Sequence, residues 1–542
     1  MAETSDDLSQ PAQRGESRSQ RRRKWAPKVR TGCITCRARH VKCDEARPSC
    51  RRCISTGRRC DGFGQTSSTT GLGALSHQPV SGVTPLYAEA SMQEKGLFYV
   101  FRTQTSHQVA GTFEGTFWSV DVLQACQMHP AIWHSATAIA AMQIRKLSGQ
   151  NVEKSEHIIS TYDELALKQY NKALSQLSQA TKRPDPSFED QSLILMATVL
   201  LLGFSSLRGN FNEAKFFAAH GLRLFKKWKF REAARKWRPT LRNNVISVTS
   251  LITLLDQIQI QYAWACRVQE PMDDALTGIK KNVSRLPFES MTDAYHELQA
   301  LQSVAVRLIR AWGYECMNFD IHAYGNARKT WLHNLSVWKS KFAQLRQLAG
   351  DDKNKLKPLL VLQMGLISLQ TIFQVDRGIN ELCWDRFITN FDRIVSIAQQ
   401  LMELETDASE KQGNSNPLFT FAPSPVGTLY MVASACRENE IRSKALSLLK
   451  RWRHRDGMMD SGMLAAMAEA KIQLEEQGCD SVELADPSQC NCMLKFYICR
   501  YHRVMETGVE FVEDGLARLE VGTFEKMGTL PSLKTLVVKW DI

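Results

Sequence analysis

The sequence predicts two unlike parts: a small metal-stabilised binuclear zinc-cluster domain and a large all-α domain of packed antiparallel helices. Three observations predict them. Six of the 15 cysteines fall between residues 33 and 60 in a regular spacing. From about residue 91, apolar residues recur at intervals of three and four, the period of a helix that buries one face. A stretch rich in glycine, serine and threonine separates the two parts.

The positive charge is concentrated near the N-terminus. The formal net charge is +13, and residues 14–60 hold 16 of the 69 basic residues but 3 of the 56 acidic ones. The rest of the chain is left with 53 residues of each sign. A basic block on a neutral body indicates a polyanion-binding protein. Nucleic acid is favoured over a membrane because no amphipathic helix or lipidation motif accompanies the block.

The expected compartment determines how the cysteines are interpreted. Residues 1–20 lack the apolar core of a signal peptide, and the most apolar run, residues 193–204, is shorter than the roughly 20 residues that span a bilayer. We therefore expect an intracellular chain that does not enter a membrane. In a reducing compartment, clustered cysteines are better interpreted as metal ligands than as disulfides.

The six clustered cysteines form an internal repeat. The spacing C-x2-C-x6-C occurs twice, displaced by 17 residues, at Cys33, Cys36, Cys43, Cys50, Cys53 and Cys60. Two tetrahedral zinc ions need eight zinc–sulfur bonds, so two of the six thiolates must bridge. By the symmetry of the repeat, the bridging residues are Cys33 and Cys50. Cys36 and Cys43 then complete one site, and Cys53 and Cys60 complete the other.

Zinc is also expected to fold this domain, which is predicted over residues 31–62. Six thiolates and two Zn²⁺ sum to a charge of −2, which the interleaved arginines and lysines offset. So short a segment buries too little apolar surface to fold without metal. The clustered cysteines could more simply be a redox pair or a metal buffer. On that interpretation the protein would be a metal or redox sensor, which is the alternative to a DNA-binding protein. Neither chemistry needs the doubled spacing.

The run from residue 33 to 60 resembles the DNA-binding module of the fungal binuclear zinc-cluster transcription factors. The resemblance includes the basic stretch between the second and third cysteines, Asp44 after the third, and Pro48 in the central loop. It implies that a short helix after the first C-x2-C enters the DNA major groove and reads a CGG triplet. By position, Arg39 and His40 match the residues that read base edges.

Other basic residues are expected to support those two. Arg37 and Lys42 match basic positions beside them, and Arg51 and Arg52 are expected to contact phosphates. One position departs from the family pattern, since lysine is more typical where His40 stands. Imidazole can still donate to guanine, but it is shorter than lysine and its charge depends on pH.

Residues 1–30 are predicted to be a disordered basic segment. Four consecutive basic residues in it are interpreted as a nuclear import signal that also contacts phosphates: Arg21, Arg22, Arg23 and Lys24. A solvated charge run is the plainer alternative. We accordingly expect the chain in the nucleus.

Residues 63–90 are predicted to be a flexible linker, because they are rich in small residues and nearly uncharged. They show no apolar heptad pattern, so no coiled-coil dimer is expected there. Residues 91–542 are predicted to form the helical domain. Its stretches between about 100 and 250 also resemble the regulatory region of the same fungal regulators. Helices are expected to continue to about residue 505, followed by a hairpin around Asp514 and Gly515.

The helical domain shows no motif of catalysis. Neither G-x-S-x-G nor H-E-x-x-H occurs. His129 and His134 are five residues apart and are interpreted as cap or core polar groups. Residues 223–242 carry nine basic residues against Glu232, which is typical of a solvated helix face. An acidic partner or a second DNA contact is the alternative there. A further metal or redox site is the less favoured interpretation of Cys479, Cys490, Cys492 and Cys499.

Together these features predict a sequence-specific, zinc-dependent DNA-binding regulator of RNA polymerase II transcription, and not an enzyme. The expected cofactor is zinc, two ions per chain, and the expected partner is double-stranded DNA. The sequence leaves two further partners open. One is a second copy of this chain, bound through the helical domain, and the other is the transcription machinery or its co-regulators. Of a pathway, the resemblance implies only that such regulators often govern secondary metabolism or nutrient use.

Overall fold

A computed structural model of the chain describes residues 33, 35–36, 39, 41–46, 50–57, 60, 86–148, 156–237, 246–265, 279, 283–312, 320–350, 352–375, 381–412, 419–452, 455–480, 498–499, 502–513, 515–523 and 532–540. The predicted N-terminal segment 1–30 and most of the predicted linker lie outside these residues. The chain divides into two compact units, Met1–Val83 and Thr84–Ile542.

The second unit is mostly helical, as predicted. In chain order the α-helices are α1 (Arg51–Ser55) in the first unit and then α2 (Leu86–Glu89), α3 (Met92–Val100), α4 (Ser106–Ala110), α5 (Val122–Met128), α6 (Pro130–Ser148), α7 (Glu156–Thr181), α8 (Phe188–Arg208), α9 (Phe211–Lys227), α10 (Phe230–Lys236), α11 (Val248–Ala265), α12 (Met291–Trp312), α13 (Ile321–Ala349), α14 (Lys353–Gln374), α15 (Ile388–Gln412), α16 (Val426–Ala435), α17 (Asn439–Arg451) and α18 (Ser461–Asp480). Short π-helical turns at Phe101–Thr105 and Phe117–Asp121 and a 3-10 helix at Glu381–Phe387 lie between them. Helix α2 falls inside the range predicted as linker.

Local sequence signals set the ends of α8 and α9. Ser187 and Asp190 form a capping box, in which the Asp190 N–H donates to Ser187 Oγ at 3.1 Å and the Ser187 N–H donates to Asp190 Oδ2 at 3.2 Å. Helix α8 ends at Gly209, whose φ of +94° lies in the left-handed region that favours glycine. Asn210 then accepts from the Glu213 N–H and begins α9. Because so short a link joins them, the two helices pack as antiparallel neighbours.

Helices α8 and α14 are long and apolar enough to cross a bilayer, judged by length and composition alone. Helix α8 is 21 residues long and contains the apolar run at residues 193–204. In the apolar 18-residue stretch that qualifies each helix, 83% is buried inside the protein for α8 and 50% for α14. The inner helix of a packed domain passes the same test, and burial in the hydrophobic core accounts for the composition of α8.

Two small sheets complete the second unit. The strands β1 (Phe419–Thr420), β2 (Arg455–Asp456) and β3 (Met459–Asp460) form one, with β1 parallel to β2. At the C-terminus, β4 (Val504–Glu513), β5 (Leu516–Thr523) and β6 (Ser532–Lys539) form an antiparallel sheet with β5 in the centre. The predicted hairpin is confirmed, since β4 and β5 meet at a turn in which Gly515 has a φ of +81°.

The prediction that helices continue to about residue 505 extends too far. Residues 498–499 and 502–503 are not helical, and β4 begins at Val504. The new sheet packs on α9, where the rings of Phe211 and Phe511 stack with centroids 3.6 Å apart. The Asn212 side chain also donates to the carbonyl of Phe511 at 3.3 Å. These contacts join residues about 300 positions apart, which a local periodicity cannot reveal.

A buried ion cluster joins the link between α16 and α17, the helices α17 and α18, and the start of β4. Its anion is Glu475, whose side chain is fully buried and lies 3.1 Å from Arg437 and in contact with Arg442. Glu475 also accepts the Val504 N–H at 2.8 Å, and Arg437 contacts Glu381 at 2.7 Å. Burial acts to raise the pKa of Glu475, but the charges of Arg437, Arg442 and Lys471, with the Val504 N–H, outweigh it and hold that pKa below its ordinary value.

Candidate metal centre and nucleic-acid interface

A helical turn begins at the first C-x2-C. Thr35 and Cys36 are helical, and the Cys36 N–H donates to Cys33 Sγ at 3.3 Å. The Arg39 N–H then donates to the Thr35 carbonyl at 3.2 Å, and the Val41 N–H donates to the Cys36 carbonyl at 3.1 Å. The helical turn therefore starts at the cysteine pair, which is where the resemblance predicts the helix that reads DNA.

The second C-x2-C repeats this arrangement. Cys50 is the N-cap of α1, and its Sγ accepts the Cys53 N–H at 3.3 Å. This matches the bond from the Cys36 N–H to Cys33 Sγ, 17 residues earlier in the chain. The first cysteine of each copy thus holds the N–H of the second, so the sequence repeat is also a structural repeat.

Asp44 links the two copies. Its carboxylate accepts the N–H groups of Arg51 and Arg52, each at 3.0 Å, and so caps α1 together with Cys50. These hydrogen bonds, led by the one from Arg52, lower the pKa of Asp44. In the sequence, only the family resemblance points to Asp44. A cap that reaches across a loop to residues seven and eight positions later gives no local signal.

The six thiols lie together. Cys33 Sγ lies 3.6 Å from Cys50 Sγ, and Cys36 Sγ lies 3.7 Å from Cys50 Sγ. Two groups of four have all their sulfurs within 4.8 Å of one another: Cys33, Cys36, Cys43 and Cys50, and Cys33, Cys50, Cys53 and Cys60. Cys33 and Cys50 belong to both groups, and none of the six is in a disulfide.

The donor set and its spacing fit zinc. Four thiolates at the usual zinc–sulfur distance of about 2.3 Å sit about 3.8 Å apart in a tetrahedron. The observed distances of 3.6 and 3.7 Å between neighbouring sulfurs agree with this value. Burial raises the pKa of Cys33 to about 12 and also raises the pKa of Cys36 and Cys50. Without metal these groups are neutral thiols, and a metal ion that binds them must displace their protons.

The residues predicted to contact DNA are placed in part. Arg39, Lys42, Arg51 and Arg52 are exposed. Arg39 Nη1 also donates to Thr56 Oγ1 at 3.4 Å, a contact between the two copies that the sequence did not indicate. The remaining predicted contacts, Arg37 and His40, lie outside the described residues, as do the basic residues of the predicted import signal, Arg21, Arg22, Arg23 and Lys24.

The other candidates lie in the helical domain. His129 ends α5, and His134 Nδ1 lies 2.7 Å from Gln169 Oε1; burial lowers the pKa of both imidazoles. They are interior polar groups, as predicted. The buried Cys499 Sγ lies 3.5 Å from His502 Nδ1. Cys490, Cys492 and the side chain of Cys479, which the alternative of a further metal site would need, lie outside the described residues.

Two family matches define the class of protein. Residues 31–69 match the fungal Zn(2)-Cys(6) binuclear cluster domain, a zinc-binding and DNA-binding module. Residues 99–259 match the fungal specific transcription factor domain. In these two regions the chain is similar to the fungal binuclear zinc-cluster transcription regulators.

Curated relatives agree with this assignment. The chain is 24% identical to the aspercryptin biosynthesis cluster-specific transcription regulator atnN of Emericella nidulans, over 83% of this chain and 87% of that protein. It is 23% identical to transcription regulator lscL of Purpureocillium lilacinum, over 44% of this chain and 58% of that protein. It is 28% identical to the Zn(2)-C6 fungal-type transcription factor afumD of Aspergillus fumigatus, over 26% of this chain and 42% of that protein. No solved structure matches the chain.

Proposed function

We propose that this protein is a nuclear, zinc-dependent regulator that recognises CGG-type triplets in the promoters of RNA polymerase II genes. One observation supports the proposal most strongly: two four-thiol groups share Cys33 and Cys50, and the helical turn that follows the first pair carries Arg39. The match to the zinc-cluster domain over the same residues supports it independently.

Two zinc ions would be held by the six thiolates. Cys33 and Cys50 would bridge, with Cys36 and Cys43 completing one site and Cys53 and Cys60 the other. The metal supplies structural crosslinks and no reaction step. The residues of the chain then do the recognition. The cysteine pair anchors a helical turn, and the hydrogen bond from the Arg39 N–H to the Thr35 carbonyl fixes the backbone of Arg39 relative to that pair.

The basic residues divide into two roles in this proposal. Arg39 and His40 contact base edges and so specify the sequence. The others contact phosphates and hold the module in register: Arg37, Lys42, Arg51, Arg52 and, in the preceding segment, Arg21, Arg22, Arg23 and Lys24. The capping of α1 by Asp44 supports this division, because it fixes the backbone of Arg51 and Arg52 while their side chains stay exposed.

Binding measurements on the full chain test the division. The probes are a duplex with CGG triplets and a scrambled duplex, each at several salt concentrations. Arg39→Ala and His40→Ala should each cost about 1 to 3 kcal/mol on the CGG duplex and little on the scrambled one. Arg22→Ala and Arg52→Ala should weaken both alike and lower the salt slope by about one. Equal losses on both duplexes for all four variants would show that the base readers are wrongly assigned.

The rival interpretation, a metal or redox sensor, makes a different prediction. Four of the six thiols, Cys33, Cys36, Cys50 and Cys53, have no exposed surface, and Cys43 and Cys60 are only partly exposed, whereas reactive thiols are accessible ones. We therefore propose that the zinc is structural and is retained under mild oxidant. Release of zinc by hydrogen peroxide at a concentration that leaves the helical domain folded would favour the sensor.

We further propose that the chain regulates a biosynthetic gene cluster. The support is the similarity over most of its length to a regulator named for the aspercryptin biosynthesis cluster. Mapping of bound genomic sites, combined with transcripts from a deletion strain, tests this. Binding scattered over unrelated genes, with no co-regulated cluster, would contradict it.

The remaining expectations stay proposals. We propose that the chain catalyses no reaction, and neither family match is to an enzyme family. Self-association through the helical domain is tested by sedimentation of the full chain with Cys33 intact and with Cys33→Ser. Equal dimerisation of the two proteins supports association through the helical domain, and loss of the dimer in the variant assigns association to the cluster.

A further inference from the structure

One face of helix α9 is exposed and combines an aromatic ring with positive charge. We define the α9 face as Phe216, His220, Arg223 and Lys227, which are spaced four, three and four residues apart and therefore lie in one row along the helix. The row is about 16 Å long at 1.5 Å per residue. The Phe216 side chain is 63% exposed and stacks on His220, and Arg223 and Lys227 are exposed.

The surroundings of the α9 face are basic. Six basic residues are exposed within residues 212–237, against one exposed acidic residue, Glu232. The carboxylate on α9, that of Glu213, accepts hydrogen bonds from the Tyr170 hydroxyl and from Ser205 Oγ, the latter at 2.8 Å. Arg231 is paired with the buried Asp256 and adds no open charge. Within the described residues, the exposed basic residues of the run noted in the sequence therefore lie on the C-terminal half of α9, at Lys229 and at the end of α10.

The opposite side of α9 fixes this face in place. Phe217 and Ala218 are buried, and a Cβ added at Gly221 would lie 3.0 Å from Thr198, so α9 packs closely on α8. Phe211 stacks on the C-terminal sheet. None of these contacts uses the side chain of Arg223 or Lys227. Substitution of those two exposed residues should therefore leave the packing of the helix intact.

We propose that the α9 face binds an acidic protein segment that also carries an apolar side chain. The carboxylates would pair with Arg223 and Lys227, and the apolar side chain would cover Phe216. A DNA duplex is the less suitable partner, because its phosphate backbone offers no apolar surface to a phenyl ring standing in line with the charges. This inference does not rest on the DNA-binding function proposed above, since α9 belongs to the other compact unit.

Fluorescence anisotropy with the full chain tests the proposal. The first probe is a labelled 15-residue peptide of aspartates with leucine and phenylalanine at every third or fourth position. The second is a poly-glutamate peptide of the same length, and the third is a duplex without CGG triplets. We expect Arg223→Glu with Lys227→Glu to weaken binding of the first peptide about tenfold or more. Phe216→Ala should weaken it about fivefold and leave poly-glutamate binding unchanged.

Matched variants control for charge and for exposed apolar area. Lys329→Glu with Lys339→Glu makes the same charge change at exposed positions of α13, and Leu348→Ala removes a side chain that is 76% exposed. Both should bind like the unaltered chain. The N-terminal basic segment is identical in every variant, so differences among them report on α9 alone. If the charge reversals reduce folding, as judged by circular dichroism, glutamine at both positions replaces them.

Three results would overturn the proposal. The α9 variants could bind the mixed peptide as tightly as the unaltered chain does. The Phe216→Ala variant could bind both peptides as tightly as the unaltered chain does, which would show that charge alone accounts for binding. The α9 variants could lose affinity for the duplex as much as for the peptide, which would make α9 a second DNA contact.

Discussion

The sharing of Cys33 and Cys50 between the two thiol groups makes a quantitative prediction about zinc. Cys33 belongs to both groups of four, whereas Cys60 belongs to one. Cys60→Ser leaves Cys33, Cys36, Cys43 and Cys50 complete, and Cys33→Ser leaves three thiols in each group. The unaltered chain should therefore bind two zinc ions, Cys60→Ser should retain one tightly, and Cys33→Ser should retain neither tightly.

The size of the effect follows from the number of ligands. A structural zinc site of four ligands contributes about 10 to 16 kcal/mol of apparent binding free energy, so one lost thiolate costs roughly 3 kcal/mol, or about 100-fold in affinity. The Cys33→Ser variant should lose this affinity for both zinc ions, and the Cys60→Ser variant should lose it for one. The helical domain should melt at the same temperature in all three proteins, because the cysteines belong to the other compact unit.

Competition with a chromophoric chelator, combined with elemental analysis of the purified full chain, measures these quantities. Cys50→Ser and Cys43→Ser form a second pair that should repeat the contrast, since Cys50 is also shared and Cys43 is not. One zinc per unaltered chain would refute the binuclear arrangement. Equal zinc loss from Cys33→Ser and Cys60→Ser would refute the assignment of the bridging thiolates.

Three predictions concern the helical domain. Glu475→Gln should destabilise it by about 3 to 5 kcal/mol in denaturant unfolding, because two buried guanidinium groups lose their shared anion; Glu440→Gln, which alters an exposed pair on α17, should cause no measurable change. Gly209→Ala should cost about 1 kcal/mol or more at its left-handed φ, whereas Gly96→Ala, inside α3 with open space at the Cβ, should stabilise slightly; equal effects would contradict the strain argument. Burial raises the pKa of Asp456 to about 7, above its value in the unfolded chain. Its contribution to stability should therefore be full below about pH 4 and be lost as the pH rises through 7. The Asp456→Asn variant should flatten this pH dependence of the melting temperature, and an unchanged profile would show that the pKa of the carboxyl is not raised.

The sequence by itself determined the features that depend on near neighbours in the chain. The cysteine positions span 28 residues, and their count and spacing already predict which thiols two zinc ions would share. The periodicity of apolar residues predicted the helical domain, and the Asp514-Gly515 pair predicted the turn between β4 and β5. These predictions succeed because helix periodicity, capping and tight turns are set within a few residues.

Only the tertiary structure decided which distant residues meet. The ion cluster around Glu475 joins residues from Glu381 to Val504, and the Phe211–Phe511 stack seats a sheet of which the sequence predicted only the first two strands. The basic run at residues 223–242 looked uniform in the sequence, yet Arg231 pairs with buried Asp256 while Arg223 and Lys227 remain exposed beside Phe216. Such pairings depend on how whole helices pack. A contact between residues hundreds of positions apart is not indicated by the periodicity of the local sequence.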